Sequence, residues 1–317
     1  MGSEMCIRDR CNDGLFLDSL KRRGIEVCVG IEPNKVAWKY ATGRRGLDVY
    51  NSFLDVESCD QAIQKHGKFG LVVARQVLEH LPDIGLFFRC VDKLLDDDGA
   101  LFLDVPDIGA GLEVGDCTIA WEEHVNYFTD SVLARMLQRF GYTPIQRHKF
   151  DFSGGTLAML ARRRRAGDPG METESVPEAM RTFSRRVDSY GARLREILSA
   201  SRNRFDQVVI YGVGCRACAL VNCHKLGPLI DFAVDDQLER QGKFMPGSNL
   251  EIKSPEVLQA NGGKTLVILA VNHENEAHVM KKTATSVNGS QIAFLVVFGP
   301  SNIGSELERF GTPTMSA

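Results

Sequence analysis

Three stretches of this chain carry side chains suited to chemistry. "IAWEEHVNYFT" (119–129) packs two carboxylates, a histidine, aromatic rings and an amide into one short run. "VVARQVLEHLPD" (72–83) leaves an apolar run with polar residues, Gln76 and His80 among them. "CNDG" (11–14) opens a helix, and Glu32 ends the apolar segment that follows it. An imidazole titrates near neutral pH and suits proton transfer. A glycine lets backbone approach a ligand closely, and a carboxylate at the tip of a second strand can accept both hydroxyls of a ribose. That pair serves any adenosine cofactor. It is also compatible with a tight turn beside a solvated glutamate, as His124 is with a packed loop histidine.

The elements that must position these residues alternate. "DGLFLDSLKRRG" reads as a helix closed by Gly24, "IEVCVGIE" as a strand and "NKVAWKYAT" as a helix. "FGLVVA" and "ALFLDVP" are continuous apolar runs of the kind a strand buried on both faces needs. "IGLFFRCVDKLL" between them is a helix, with "DDDG" as a turn. A further helix, "DSVLARMLQRFGY", leads to two antiparallel strands, "TPIQRHKF" and "TLAMLARR". This order predicts an α/β, doubly wound sheet, and a closing hairpin is the usual end of a class I methyltransferase sheet. Loops at the C-terminal ends of its strands would form the site.

"RRRRAGDPGMETES" interrupts the pattern and marks a domain boundary. Met180, Phe183, Val187, Tyr190, Leu194 and Leu198 then share one helical face. "QVVIYGVGCRA", "LIDFAVDD", "TLVILAV" and "IAFLVVFG" are strand candidates of a second, Rossmann-like α/β unit. The expected division is a first α/β domain over 11–165, a linker and helix over 166–204 and the second unit over 205–317.

The second unit supports a rival reading. Gly212, Gly214 and Ala217 make a GxGxxA-like turn, and Asp235 follows at near the spacing that holds an NAD ribose. The protein would then be an NAD-dependent oxidoreductase or a dinucleotide-binding module. Cys215, Cys218, Cys223 and His224 could conceivably hold zinc, but the run reads as buried thiols, so no metal is expected. His273 and His278 either meet substrate or are solvated.

Composition excludes several classes. The 317 residues are 44% hydrophobic, enough to bury a sizeable core over about two domains. A net charge of -3 argues against a general nucleic-acid or anionic-membrane surface. No apolar run approaches the roughly 18 residues of a membrane span. Without an apolar signal core, and with nine scattered cysteines, the expected compartment is the cytoplasm.

Taken together, "CNDGLFLDSLKRRG…VGIEPN", "ARQVLEHLPD", "EEHVNYFT", "SGGTLAMLARR" and "GKFMPGSNLEI" resemble, in order, the S-adenosylmethionine-dependent C-methyltransferases of deoxysugar biosynthesis. The resemblance runs from Cys11 to about residue 300. It implies S-adenosyl-L-methionine as cofactor, held by Asn12, Asp13, Gly14, Glu32, Pro33, Phe53 and Gln76, and a small substrate, in that family a nucleotide sugar. His124 would be the base that makes a carbon beside a carbonyl nucleophilic, with Glu123 orienting it or binding substrate. His80 would stabilise the enolate oxygen or bind substrate hydroxyls, and Trp121 and Tyr127 would contact substrate. The family tends to read Tyr-His-Glu-His where this chain has Trp121-Glu122-Glu123-His124, so a substrate different from theirs is an expectation. The family's zinc-binding N-terminal module, with its clustered cysteines, is expected to be absent here. Its first loop reads acidic-x-Gly-x-x-x-Gly, which puts Arg8 at the acidic position and Arg10 at the first glycine. "MGSEMCIRDR" has only Met5, Cys6 and Ile7 as an apolar cluster. Residues 1–10 are therefore expected to be foreign or truncated, with the first strand missing or replaced.

Overall fold

A computed structural model of the chain describes residues 5–120, 123–151, 155–170, 176–260, 263–284 and 291–298. The described residues form two compact units. One holds 5–107, 123–150 and 156–170, and the other holds 108–120, 151, 155 and the residues from 176 onward.

The first unit is built on seven strands. In chain order it runs β1 (Met5–Asp9), α1 (Leu15–Arg22), β2 (Val27–Ile31), α2 (Lys35–Arg45), β3 (Asp48–Tyr50), α3 (Val56–His66), β4 (Phe69–Arg75), α4 (Ile84–Leu94) and β5 (Leu95–Pro106). Helix α5 (Gly109–Val114) belongs to the other unit, and α6 (Asp130–Arg139), β6 (Tyr142–Phe150) and β7 (Thr156–Arg163) complete this one. The strand order is β3-β2-β1-β4-β5-β7-β6. Strands β1 to β5 pair in parallel, while β7 is antiparallel to both β5 and β6. The strand order switches between β1 and β4, with β2 and β3 added on one side of β1 and β4 and β5 on the other, which opens the crevice where ligands of such sheets bind. Core side chains cover both faces. Ile7, Val29, Val72 and Leu101 belong to one cluster, and Cys11, Leu17, Ala41 and Leu47 to a second.

A first strand is present, so of the two outcomes expected, missing or replaced, only the first is corrected. Met5–Asp9 lies mid-sheet, in register with Val27–Ile31 on one side and with Leu71–Ala74 on the other. Cys6 and Ile7 are buried. Two neighbouring apolar strands supply ladder bonds and packing, so three apolar residues suffice; tertiary context overrides local pattern. The charged end carries a cost. Arg10 sits at φ 46°, a left-handed conformation that favours glycine. Arg8 Nε is buried without a hydrogen-bond partner, and the Arg8 and Arg75 guanidiniums lie 5.1 and 4.9 Å from the Phe16 ring centroid. Arg10→Gly is expected to stabilise this unit by about 0.5–1 kcal/mol, because relief of αL strain exceeds the added unfolded-state entropy. A melting midpoint that stays put or falls would show that the Arg10 side chain makes contacts worth more than the strain.

Asp9 gives a second test. It is 5% exposed, and burial pushes its carboxyl up to about 6. The folded state thus binds a proton more tightly than the unfolded chain. Its stabilising contribution is complete below about pH 4 and is lost as pH rises through about 6. The shift from the ordinary 3.8 corresponds to at most roughly 3 kcal/mol. Asp9→Asn should flatten the fall in stability between pH 4 and 6 and raise the melting midpoint at pH 7. Denaturant titrations at stepped pH read this directly, and an unchanged slope would rule Asp9 out as its source.

"DDDG" is not a free turn. Strand β5 starts at Leu95, and its register against β4 jumps from the Phe69–Leu95 pair to Leu71–Ala100, so Asp96–Gly99 form a bulge inside the strand.

The second unit adds α7 (Val176–Ser201), β8 (Gln207–Tyr211), α8 (Cys215–Cys223), β9 (Phe232–Val234), β10 (Ile252–Lys253), α9 (Val257–Ala260), β11 (Lys264–Leu269), α10 (His273–Ala284) and β12 (Gln291–Val296). Its parallel sheet runs β10-β9-β8-β11-β12. Two features depart from the division read from sequence. Helix α7, expected with a linker, buries Tyr190, Leu194, Ile197 and Leu198 in this unit's core. Segment 108–120 also packs here. Among the described residues, no helix is long and apolar enough to cross a membrane.

Candidate active site

The C-terminal ends of β1, β2, β4 and β5 gather the polar residues of the first unit. Glu32, just past β2, is 5% exposed, and its carboxylate accepts the Asn12 amide at 2.7 Å and the Asn34 amide at 2.8 Å. Each oxygen keeps a second lone pair. Asn51 Nδ2 donates to the Glu32 carbonyl at 2.8 Å, and the neighbouring Ser52 Oγ is buried without a partner. Asn34 also caps α2, accepting the Val36 and Ala37 amides, so one short turn fixes both Glu32 and the helix start.

Asp13 and Gly14 serve the scaffold. Asp13 accepts the Leu15 amide and is paired with Arg45 at 3.0 Å, which together hold its carboxyl below the usual range. A Cβ on Gly14 would lie 2.4 Å from Leu47 Cδ1, so packing and φ 80° demand glycine here. Phe53 is 63% exposed. Pro33 accepts a bond from Asn51 through its carbonyl. Gln76 sits at φ 52° with its amide and Nε2 directed at Asp104 Oδ1, at 3.0 and 3.3 Å. Asp104, 3% exposed, also pairs with Arg75 Nε at 2.5 Å.

The proton-handling groups meet beside β4. A 3-10 turn, Leu78–His80, follows that strand. The Val125 and Asn126 amides donate to the Glu79 carbonyl at 2.8 and 3.1 Å. Asn126 Nδ2 reaches the Leu78 and Leu81 carbonyls. These four bonds clamp the 123–128 loop onto the turn and bring the His80 and His124 rings to 4.9 Å, edge to face. The Tyr127 ring is 6.2 Å from His124. His80 Nδ1 lies 2.9 Å from the Glu123 carbonyl oxygen, which only accepts, so Nδ1 carries the proton and neutral His80 presents a lone pair at Nε2. Burial and the adjacent His80 hold His124 below the usual imidazole value, so it is neutral at pH 7.

Glu79 was not singled out from the sequence. It is 1% exposed, its Oε2 has no hydrogen-bond partner, and its Oε1 is 3.9 Å from His80 Nε2. Burial pushes its carboxyl up to about 7. The available signal was a glutamate beside the predicted His80 in "VLEHLPD"; burial, which decides its role, is not written there. Glu79, His80 and His124 place ligand atoms within 4.8 Å of one another, a geometry also able to hold a cation. Trp121 lies outside the described residues.

Residues 11–147 match the family model described as a methyltransferase domain, and residues 152–296 match that of a C-methyltransferase C-terminal domain. The chain thus carries two domains that match methyltransferase family models. It is 27% identical to the C-methyltransferase NovU of Streptomyces niveus over 278 residues, 84% of this chain and 66% of that protein. It thus spans just under two thirds of that relative's length. Against the mitochondrial ubiquinone biosynthesis O-methyltransferase of Bos taurus it is 33% identical over 97 residues, 29% of this chain and 26% of that one. A solved S-adenosylmethionine-dependent methyltransferase from Mesorhizobium loti overlaps 50% of this chain and 90% of its own at 14% identity, with a TM-score of 0.39. The name of that solved protein gives S-adenosylmethionine as its own cofactor. The residues present fit it. Glu32 offers two carboxylate oxygens with spare lone pairs, and Ser52 Oγ is a buried group in want of a partner.

The oxidoreductase alternative gains no support. The family models matched over 11–147 and 152–296 are both methyltransferase models. Asp235 is 5% exposed and already accepts the Val213 and Gln237 amides and Arg240 Nη1. A Cβ on Gly212 would lie 2.6 Å from the Ala270 carbonyl oxygen, so packing explains that glycine. His273 pairs with Glu276 at 3.0 Å, and His278 is exposed.

Proposed function

We propose that this chain methylates a carbon beside a carbonyl group in a small molecule, in the first place a nucleotide-linked keto-deoxysugar. One observation carries the reading: His124 and His80 lie edge to face beside a buried, half-satisfied Glu79, at the edge of the sheet where Glu32 stands. The match to a C-methyltransferase C-terminal domain and the likeness to NovU support carbon as the methylated atom.

When bound, S-adenosyl-L-methionine supplies an electrophilic methyl group; Glu32 would accept its ribose hydroxyls, with Asn12 and Gln76 beside it. His124, neutral, takes the proton from the carbon and leaves an enolate. The Glu123 carbonyl holds His80 by Nδ1. Neutral His80 therefore cannot donate to the enolate oxygen, and it becomes a donor at Nε2 only when protonated. Glu79, whose carboxyl titrates near neutrality 3.9 Å away, is the group placed to supply that proton. Tyr127, ring to ring with His124, borders the substrate. The nine cysteines are reduced thiols, which fits action in the cytoplasm.

The test is calorimetry with S-adenosyl-L-methionine and NAD, followed by transfer of labelled methyl to keto-sugar nucleotides. Binding of the first ligand and label on carbon are expected. Tight NAD binding without S-adenosyl-L-methionine binding, or label on oxygen or nitrogen alone, would overturn the proposal.

A further inference from the structure

The second unit contains a side-chain cluster that methyl transfer does not use. Cys117 opens a 3-10 turn, Cys117–Ile119, while Cys223 ends α8 and His224 caps it. Cys117 Sγ is 3.3 Å from His224 Nε2, and Cys223 Sγ lies within 4.8 Å of both. His224 is 2% exposed, Cys117 is half-buried and Cys223 is exposed.

The cluster is held in place from several sides. Arg216 on α8 bonds Thr118 Oγ1 at 3.1 Å and Asp116 Oδ2 at 3.2 Å, the residues on either side of Cys117. Arg195 Nη1 donates to the His224 carbonyl at 3.0 Å. The other edge of the imidazole is wedged against Gly191, where any Cβ would stand 2.2 Å from Nδ1. Nδ1 thus packs against the Gly191 backbone, and Nε2 faces the Cys117 sulfur.

We propose that Cys117, Cys223 and His224 form a binding site for a thiophilic divalent cation, Zn2+ first among them. Two thiolates and a neutral imidazole are a zinc donor set, with solvent in the fourth position beside exposed Cys223. Zn–S bonds of about 2.3 Å and a Zn–N bond of about 2.0–2.1 Å in a tetrahedron place S and N about 3.5 Å apart, close to the separation seen. On binding, each thiol gives its proton to solvent and forms a metal–sulfur bond, and the imidazole binds neutral, so uptake releases about two protons per ion. Sequence spacing had grouped Cys215, Cys218, Cys223 and His224. The fold keeps the last two and replaces the others with Cys117, more than a hundred positions earlier.

The experiment is a titration of chelator-treated, reduced full chain with Co2+, followed by displacement with Zn2+. The expected result is tetrahedral d–d bands and thiolate charge transfer saturating at one ion per chain, with a rise in melting temperature. Cys117→Ser and Cys223→Ser should each weaken binding by roughly tenfold or more. Cys223 is exposed, so its variant should keep the parent's melting profile without metal. His124→Asn should retain the bands, because the other histidine cluster has no sulfur. Folded protein without thiolate bands, bands unchanged in both serine variants, or loss of two free thiols to a Cys117–Cys223 disulfide with no metal uptake by the reduced chain would each overturn the proposal.

Discussion

The His124→Asn variant should turn over roughly 10²–10⁴-fold more slowly than the parent while holding S-adenosyl-L-methionine equally well, the usual share of a general base. Asparagine keeps size and polarity but cannot accept a proton near neutral pH. The loop should survive, because four bonds through the Val125 and Asn126 amides and the Asn126 side chain hold it. Burial and the neighbouring His80 hold the imidazole below its ordinary 6.5. The base is therefore active at pH 7, and kcat/KM should fall only below pH 6.5, along a limb the variant lacks. Turnover within a few-fold of the parent, or an unchanged acid limb, would remove His124 from the mechanism.

Glu32→Gln should weaken S-adenosyl-L-methionine binding by about 1.5–3 kcal/mol, roughly 10–150-fold, because a charged acceptor of two hydroxyls becomes a neutral amide. The change is also felt in the loop. Both carboxylate oxygens accept backbone amides, and the new NH2 must face one of them. Calorimetry should thus be paired with melting of the cofactor-free chain. Affinity loss with a melting shift of a few degrees supports the ribose role. Unchanged affinity would mean that Glu32 serves only to tie Asn12 to Asn34.

Much of this was legible from spacing alone. Apolar runs separated by helical periods gave two α/β units, since a strand buried on both faces must be continuously apolar. The strand-end positions of Glu32, Gln76 and His80, and the crowding around His124, marked the edge where a site would form. Short or unfavourable elements were hidden. Strand β3 has three residues, and β1 carries Arg8 and Asp9 in a position that propensity forbids. Neither declares itself without its neighbours.

What the sequence determined by itself was the kind of fold and the residue types at its rim, because periodicity and chain order are local properties. Tertiary structure decided which of those residues can act. It committed Asp13 to Arg45 and Asp235 to Arg240, and it set the tautomer of His80 through the Glu123 carbonyl. It buried Glu79 without a partner for one oxygen and joined Cys117 to Cys223 and His224. Burial and partnership depend on groups far away along the chain. They set the energy of a charge or a proton, and no spacing rule contains them.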